Sequence, residues 1–281
     1  MKKVNIIGVP EHFNLPWHLC IENGEFNELG IDLHWQDIPE GTGKMCQMLR
    51  NEETDLAVIL TEGIIKDIID GNNSTIIQEY VGSPLLWGIH VAENSPYTKI
   101  EDLKGKKIAI SRFGSGSHLM AIVHAKLMNW DINSLEFVVV NNIDNAVIAL
   151  TNGEADYFMW EHFMTKPLVD QKIFRRLGDC PTPWPSFVIV ATKAFASKNK
   201  RLIDNLLECI NMTTSEFKHI PSIDRTLATK FNLQIEDIKE WLMMTKWSQK
   251  QLSEKNFDKV QTQLKELNLI PHTTDYKKVV L

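Results

Sequence analysis

Residues 99–121, KIEDLKGKKIAISRFGSGSHLMA, decide how the chain is read. A charged, turn-forming segment leads into a short apolar strand, Lys107 to Ser111. Gly114-Ser115-Gly116-Ser117 then interrupts the chain before a helical stretch. A strand that breaks into small residues and restarts as a helix leaves the first helical N–H groups without carbonyl partners. Glycine permits close backbone approach, and the helix dipole favours an anion there. A plain turn with a serine N-cap fits the same residues.

Upstream, strand-like and helix-like segments alternate. Lys3 to Val9 is apolar and β-rich, and Pro16 to Gly24 suits a helix with proline in its first turn. Ile31 to Asp37 alternates with period two, as a half-buried strand does. EGTGKMCQMLRN (40–51) places Met45, Met48 and Leu49 at helical spacing behind Thr42 as N-cap. Asp55 to Leu60 reads as a buried strand, and the helix from Glu62 to Ile69 ends at DGNN. This alternation predicts a layered α/β fold with parallel strands.

The chain also resembles itself. LRNEETDLAVILTEG starts at Leu49 and LTNGEADYFMWEHF at Leu150, an offset of 101 residues. Asn51, Glu53 and Asp55 meet Asn152, Glu154 and Asp156 at that offset. KKVNIIG and KKIAISR correspond in the same way, at an offset of 104. Two copies of one β-α-β-α-β unit predict two similar lobes. Extended apolar runs beside proline, Leu85 to Val91 and Phe187 to Ala191, are read as crossings between them. The expected division is 1–90 plus 192–281 for the first lobe and 91–191 for the second. The stretch after Ala196 reads as helices that pack back on the first lobe.

Composition narrows the function. With 43% hydrophobic and 23% charged residues, the chain has an ordinary globular make-up. A net charge of −6 without a basic stripe argues against nucleic-acid binding. No apolar run reaches the roughly 20 residues needed to span a bilayer. The N-terminal MKKVNIIGVPEHF is too short in its apolar part for a signal peptide, so a cytoplasmic location is expected as the chain stands. A periplasmic or lipid-anchored form would require that a leader had been removed. Cys20, Cys46, Cys180 and Cys209 are scattered and read as reduced, buried thiols. No metal-ligand spacing and no cofactor motif occurs in the sequence.

The run from KIEDLKGKKIAI through GSGSHLMA to NNIDNAVIALTNGEADYFMWE resembles the second lobe of type II periplasmic-binding-protein-like proteins. The nearest group is that of nitrate, sulfonate, taurine and thiamine-pyrimidine-precursor binders. The resemblance implies two Rossmann-like lobes joined by two crossover strands and closing over a small molecule. It also implies an ABC importer as partner if the chain is exported. The same group includes cytoplasmic enzymes, among them the thiamine-pyrimidine synthase, whose cysteine-rich motif is not found here. Enzymes of menaquinone biosynthesis also share the fold.

In such sheets ligands bind beyond the carboxyl ends of the strands, so seven loops are expected to line one cleft. They are 10–14, 41–43, 61–63, 83–87, 112–118, 160–162 and 183–186. Gly114, Ser115, Gly116 and Ser117 would hold an anion, with Gly41, Thr42 and Gly43 as the first-lobe counterpart. Arg112 would pair with the same anion. Glu11-His12 and Glu161-His162 would supply polar contacts to ring nitrogens, with Thr61 and Glu62 beside them. Trp184, held by flanking prolines, is the first choice to cover a flat ring, with Trp87 and Trp160 as further choices. The expected function is therefore binding of a small anionic or heteroaromatic ligand. An enzyme of cofactor biosynthesis, using an Glu/His pair as acid and base, is the alternative.

Overall fold

The computed structural model describes residues 1–281, which fall into two compact units. Met1–Ser83 with Trp184–Leu281 form the first and Pro84–Pro183 the second. The boundaries thus lie earlier in the chain than the expected 90/91 and 191/192.

The first unit opens with β1 (Lys2–Gly8), α1 (Leu15–Glu22), α2 (Glu25–Glu28) and β2 (Ile31–Asp37). It continues through α3 (Thr42–Arg50), β3 (Leu56–Leu60), α4 (Thr61–Ile69) and β4 (Ser74–Val81). The second unit holds β5 (Leu86–Ala92), β6 (Lys107–Ile110), α5 (Gly116–Leu127) and β7 (Glu136–Val139). It ends with α6 (Ile143–Thr151), β8 (Tyr157–Glu161), α7 (Lys166–Asp170) and β9 (Phe174–Pro181). The chain then returns to the first unit as β10 (Phe187–Thr192), α8 (Lys193–Lys198) and α9 (Lys200–Glu216). Helices α10 (Ile223–Phe231), α11 (Ile235–Met244), α12 (Glu254–Glu266) and α13 (Tyr276–Val279) complete it.

Each unit contains one five-stranded sheet, ordered β2-β1-β3-β10-β4 in the first and β7-β6-β8-β5-β9 in the second. The two orders are the same once β10 and β5 are matched. Strand direction departs from the sequence reading, which expected parallel strands. β10 runs antiparallel to both β3 and β4, and β5 runs antiparallel to both β8 and β9. The two apolar runs expected to cross between lobes are these inner strands. Each comes immediately after a crossing and is inserted into the middle of a sheet. That position buries both faces, so every residue of β10 is buried and the run is apolar without alternation.

Local sequence accounts for the element ends. Pro16 sits in the first turn of α1, where its missing N–H costs nothing. Asn142 Oδ1 accepts from Asn145 N at 2.9 Å to cap α6, and Ser253 Oγ accepts from Asn256 N at 3.2 Å to cap α12. In the second unit Ala146, Ala149 and Ala155 are small enough for α6 to approach the sheet, where Phe158 and Phe174 fill the core. In the first unit α9 packs on α1, and α12 packs on α4. No helix is long and apolar enough to cross a membrane.

Candidate ligand-binding site

In the first unit the direction of β10 organises the site. Because it is antiparallel, its start lies at the edge where β3 and β4 end: Phe187 faces both Leu60 and Val81. The loop before β10 is thereby tied to the other strand ends. Thr61 N donates to Ser186 O at 3.1 Å, and Ser186 N donates to Ser83 O at 3.1 Å. Phe13 packs on Phe187 with ring centres 5.1 Å apart, which brings the loop after β1 to the same edge.

Helices α3 and α4 start here. A Cβ on Gly63 would fall well inside contact distance of Thr42 Cγ2, so glycine is what allows the two helix starts to touch. Gly41, at φ +76°, turns the chain into α3. Glu62, 1% exposed, accepts from Trp184 Nε1 at 2.7 Å through Oε2. Its other oxygen, Oε1, and the Thr61 hydroxyl are buried without hydrogen-bond partners. Burial pushes the Glu62 carboxyl up to about 7, against the pull of its own amide and of Trp184. Burial also raises Glu11 to about 7.

Two first-unit residues sit differently from the sequence expectation. Trp184 is only 2% exposed, its indole N–H fixed by Glu62 and its ring packed into the unit, so it does not present a free face. His12 is fully buried among aromatic rings, 4.8 Å from Phe13, 4.3 Å from Trp241 and 5.8 Å from Phe231. Burial holds its imidazole near pKa 3, so it stays neutral. Glu11 beside it is half-buried, whereas His12 lies wholly in the core. Proximity in sequence to an acid concealed this.

In the second unit the turn 111–118 is knitted by its own hydroxyls. Ser115 caps α5, accepting from His118 N at 3.3 Å and donating to Arg112 O at 2.7 Å. Ser117 Oγ accepts from Ser111 N at 2.9 Å and lies 3.1 Å from Ser115 Oγ. Both serines are buried, so their hydroxyls shape the turn. Gly114, at φ +79°, makes the bend. The Gly116 and Ser117 amides head the helix, where no carbonyl of the helix itself can reach them. Arg112 is half-buried at the entrance to this turn. Phe113, which the sequence reading passed over, is 64% exposed and meets His118 and Phe137 edge-on at 5.3 and 5.9 Å. An apolar residue between arginine and a glycine turn was the available sign.

At the same edge of the second sheet β5 starts beside the end of β8, with Trp87 opposite Glu161. Trp87 is buried with its Nε1 unpartnered, and it meets the half-buried Trp160 edge-on at 6.4 Å. Glu161 Oε2 accepts from Met164 N at 2.7 Å and closes the turn after β8. His162 Nδ1 donates to Asp179 Oδ1 at 2.7 Å, and Arg176 Nη1 donates to its Nε2 at 2.5 Å. Both ring nitrogens of His162 are thus engaged within the unit. The structure therefore gathers Thr42, Thr61, Glu62 and Trp184 in one unit, and Arg112 with Gly114–Ser117, and Trp87 with Trp160 and Glu161, in the other.

Residues 87–180 match the family model described as Ca3427-like PBP. A solved structure from Candida albicans, the CA3427 gene product, is 26% identical, with a TM-score of 0.90 over 99% of this chain and 94% of that one. It is described as defining a family with the generic periplasmic binding protein fold. The aliphatic sulphonate binding protein SsuA of Escherichia coli is 19% identical, with a TM-score of 0.76 over 100% of this chain and 92% of that one. The alkanesulfonate-binding SsuA of Xanthomonas axonopodis pv. citri, bound to MOPS, is 15% identical, with a TM-score of 0.81 over 99% and 96%. Among curated proteins none matches the chain. The chain thus has the fold of the periplasmic binding proteins, as residues 99–161 suggested, and its residues 87–180 are similar to the Ca3427-like pattern.

Proposed function

We propose that the protein binds a small molecule, anionic or heteroaromatic, by closing its two units over it. The observation that carries this reading is the pair of unpartnered polar groups at the start of α4. Glu62 Oε1 and Thr61 Oγ1 are buried with nothing to bond, and such groups in a folded protein are normally satisfied. A ligand donor facing Glu62 satisfies the carboxyl. In the second unit the head of α5 and Arg112 receive an acidic group. Phe113 and Trp160 offer ring surface there, with Trp87 packed edge-on against Trp160, while the enclosed Trp184 holds Glu62 in the first unit. Glu11, Gly41–Gly43, Glu161 and His162 shape the surrounding loops, and His12 supports its loop from the core. An importer partner enters this reading only for an exported form of the chain.

Calorimetric titration with alkyl sulfonates, nitrate and aminopyrimidines of the thiamine-precursor type tests the proposal. Saturable binding of one class, weakened in Glu62→Gln and in Arg112→Ala, is expected. Absence of binding for all three classes at millimolar concentration would remove it.

A catalytic reading has one observation in its favour. A carboxyl near pKa 7, as at Glu62 and Glu11, is matched to general acid–base work at neutral pH. Incubation with candidate cofactor precursors and mass spectrometry for product separates turnover from binding.

A further inference from the structure

Four scattered cysteines gave no metal spacing, yet folding assembles two of them. Cys20 on α1 and Cys209 on α9 come together beside Glu25, the first residue of α2. The two sulfurs and a Glu25 carboxylate oxygen all lie within 4.8 Å of one another. Cys209 Sγ donates to Glu25 Oε2 at 3.7 Å, and Thr213 Oγ1 donates to the same oxygen at 3.3 Å. Thr213 Oγ1 also lies 3.0 Å from Cys20 Sγ. Asn23 Nδ2 donates to Glu25 Oε1 at 3.1 Å, so both carboxylate oxygens are oriented from outside the cluster.

We propose that Cys20, Cys209 and Glu25 form a binding site for one thiophilic divalent cation of the zinc class. Zinc takes thiolate sulfur at about 2.3 Å and carboxylate oxygen at about 2.0–2.2 Å. Two sulfurs on one tetrahedral zinc stand about 3.8 Å apart, so a spacing inside 4.8 Å lies within about 1 Å of what the ion requires. Binding forms two metal–sulfur bonds and one metal–oxygen bond, and the two thiols release two protons to solvent. Two thiolates and one carboxylate against a dication leave one net negative charge, which Asn23 and Thr213 moderate as hydrogen-bond donors around the ligands. The sulfurs are buried, but Glu25 is half-exposed and gives the ion an entry path. A carboxylate aimed at two thiols distinguishes this cluster from ordinary buried cysteines such as Cys46 and Cys180, neither of which belongs to it. None of its residues lies in the strand-end loops, so the site is independent of the ligand-binding proposal.

The full chain, fully reduced and freed of reductant under nitrogen, is titrated with Cd2+ and then with Zn2+ in competition. Expected are one Cd2+ per chain with a sulfur-to-metal charge-transfer band in the ultraviolet, release of two protons, and a rise in melting temperature. Cys20→Ser and Cys209→Ser abolish the band, whereas Cys46→Ser keeps it. Glu25→Gln, at a half-exposed position that the fold tolerates, keeps the band and weakens binding by about 10-fold. The proposal is overturned by a reduced protein that gives no band, or by a band that survives both Cys20→Ser and Cys209→Ser. It is overturned equally if oxidised glutathione joins the two cysteines in a disulfide while the reduced form takes no Cd2+.

Discussion

Asp55 and Asp156 make the same pair of hydrogen bonds, Asp55 to β1 and Asp156 to β6. Asp55 Oδ2 accepts from Asn5 N at 2.8 Å while the Asp55 amide donates to Asn5 O at 3.1 Å. Asp156 Oδ2 accepts from Lys107 N at 2.8 Å while its amide donates to Lys107 O at 2.9 Å. The residues just before them repeat as well: Asn51 bonds Glu53 at 2.8 Å, and Asn152 bonds Glu154 at 3.3 Å. The two aspartates therefore fix where β3 meets β1 and where β8 meets β6.

Replacing either aspartate by alanine leaves a strand amide without its acceptor. Asp55→Ala, at a part-buried bond, is expected to cost about 1–3 kcal/mol, and Asp156→Ala, at an exposed one, about 0.5–1.5 kcal/mol. Asn, which keeps one carbonyl acceptor, costs less at both positions. Urea unfolding of the four variants checks this, and equal midpoints for Ala and Asn would deny the bond its role.

Glu62 gives stability a pH dependence of definite sign. The folded state holds its proton up to about pH 7, whereas an ordinary carboxyl releases it near 4.5. Between these values the folded chain binds more protons than the unfolded one, so stability falls as pH rises through that window. Glu62→Gln removes this slope. Its stability relative to wild type improves by about 3 kcal/mol between about pH 4 and pH 8. Glu11 has the same sign and remains in the variant. Denaturant midpoints across the range measure the difference, and parallel curves for the two proteins would show that Glu62 ionises as freely as in an open chain.

Gly63 touches the side chain of Thr42. Gly63→Ala forces α3 and α4 apart and is expected to destabilise by about 1–3 kcal/mol. Thr42→Ser, which deletes the methyl group that collides, restores most of the loss in the double variant. Additive effects of the two substitutions would mean that the helices do not meet through this pair.

Arg112 is expected to contribute affinity and little stability. Arg112→Ala weakens an acidic ligand by about 10- to 100-fold, the range for a charge-assisted hydrogen bond. The melting temperature of the ligand-free protein changes little, as for most partly exposed substitutions. Unaltered affinity for an acidic ligand that the wild type binds would take Arg112 out of the site.

The duplicated unit was legible because strand-turn residues leave local marks. The Asp, Glu and Asn of 51–55 and 152–156 recur at one offset, and the Gly-Ser turn at 114–117 announces a helix start. Strand direction left no such mark. Val188 and Ile189 are apolar in either orientation, and only pairing with Ile59 and Val58 shows that β10 is reversed. Trp184 misled for a related reason: flanking prolines show that it lies outside a helix, not that Glu62, 122 positions away, draws it inside. His12 looked polar in the sequence, but Trp241 and Phe231 come from distant helices to enclose it. Cys20 and Cys209 are likewise joined only by the packing of α1 on α9.

The inner strand of the first sheet carries a consequence for synthesis. When the ribosome has made residues 1–83, β3 and β4 are present but the strand that belongs between them is still about a hundred codons away. Residues 84–183, by contrast, are contiguous and include their own inner strand. The later-made unit can thus mature while the earlier one waits with two open edges. Nascent chains stalled between those points are the form most exposed to strand-edge aggregation and most in need of a chaperone.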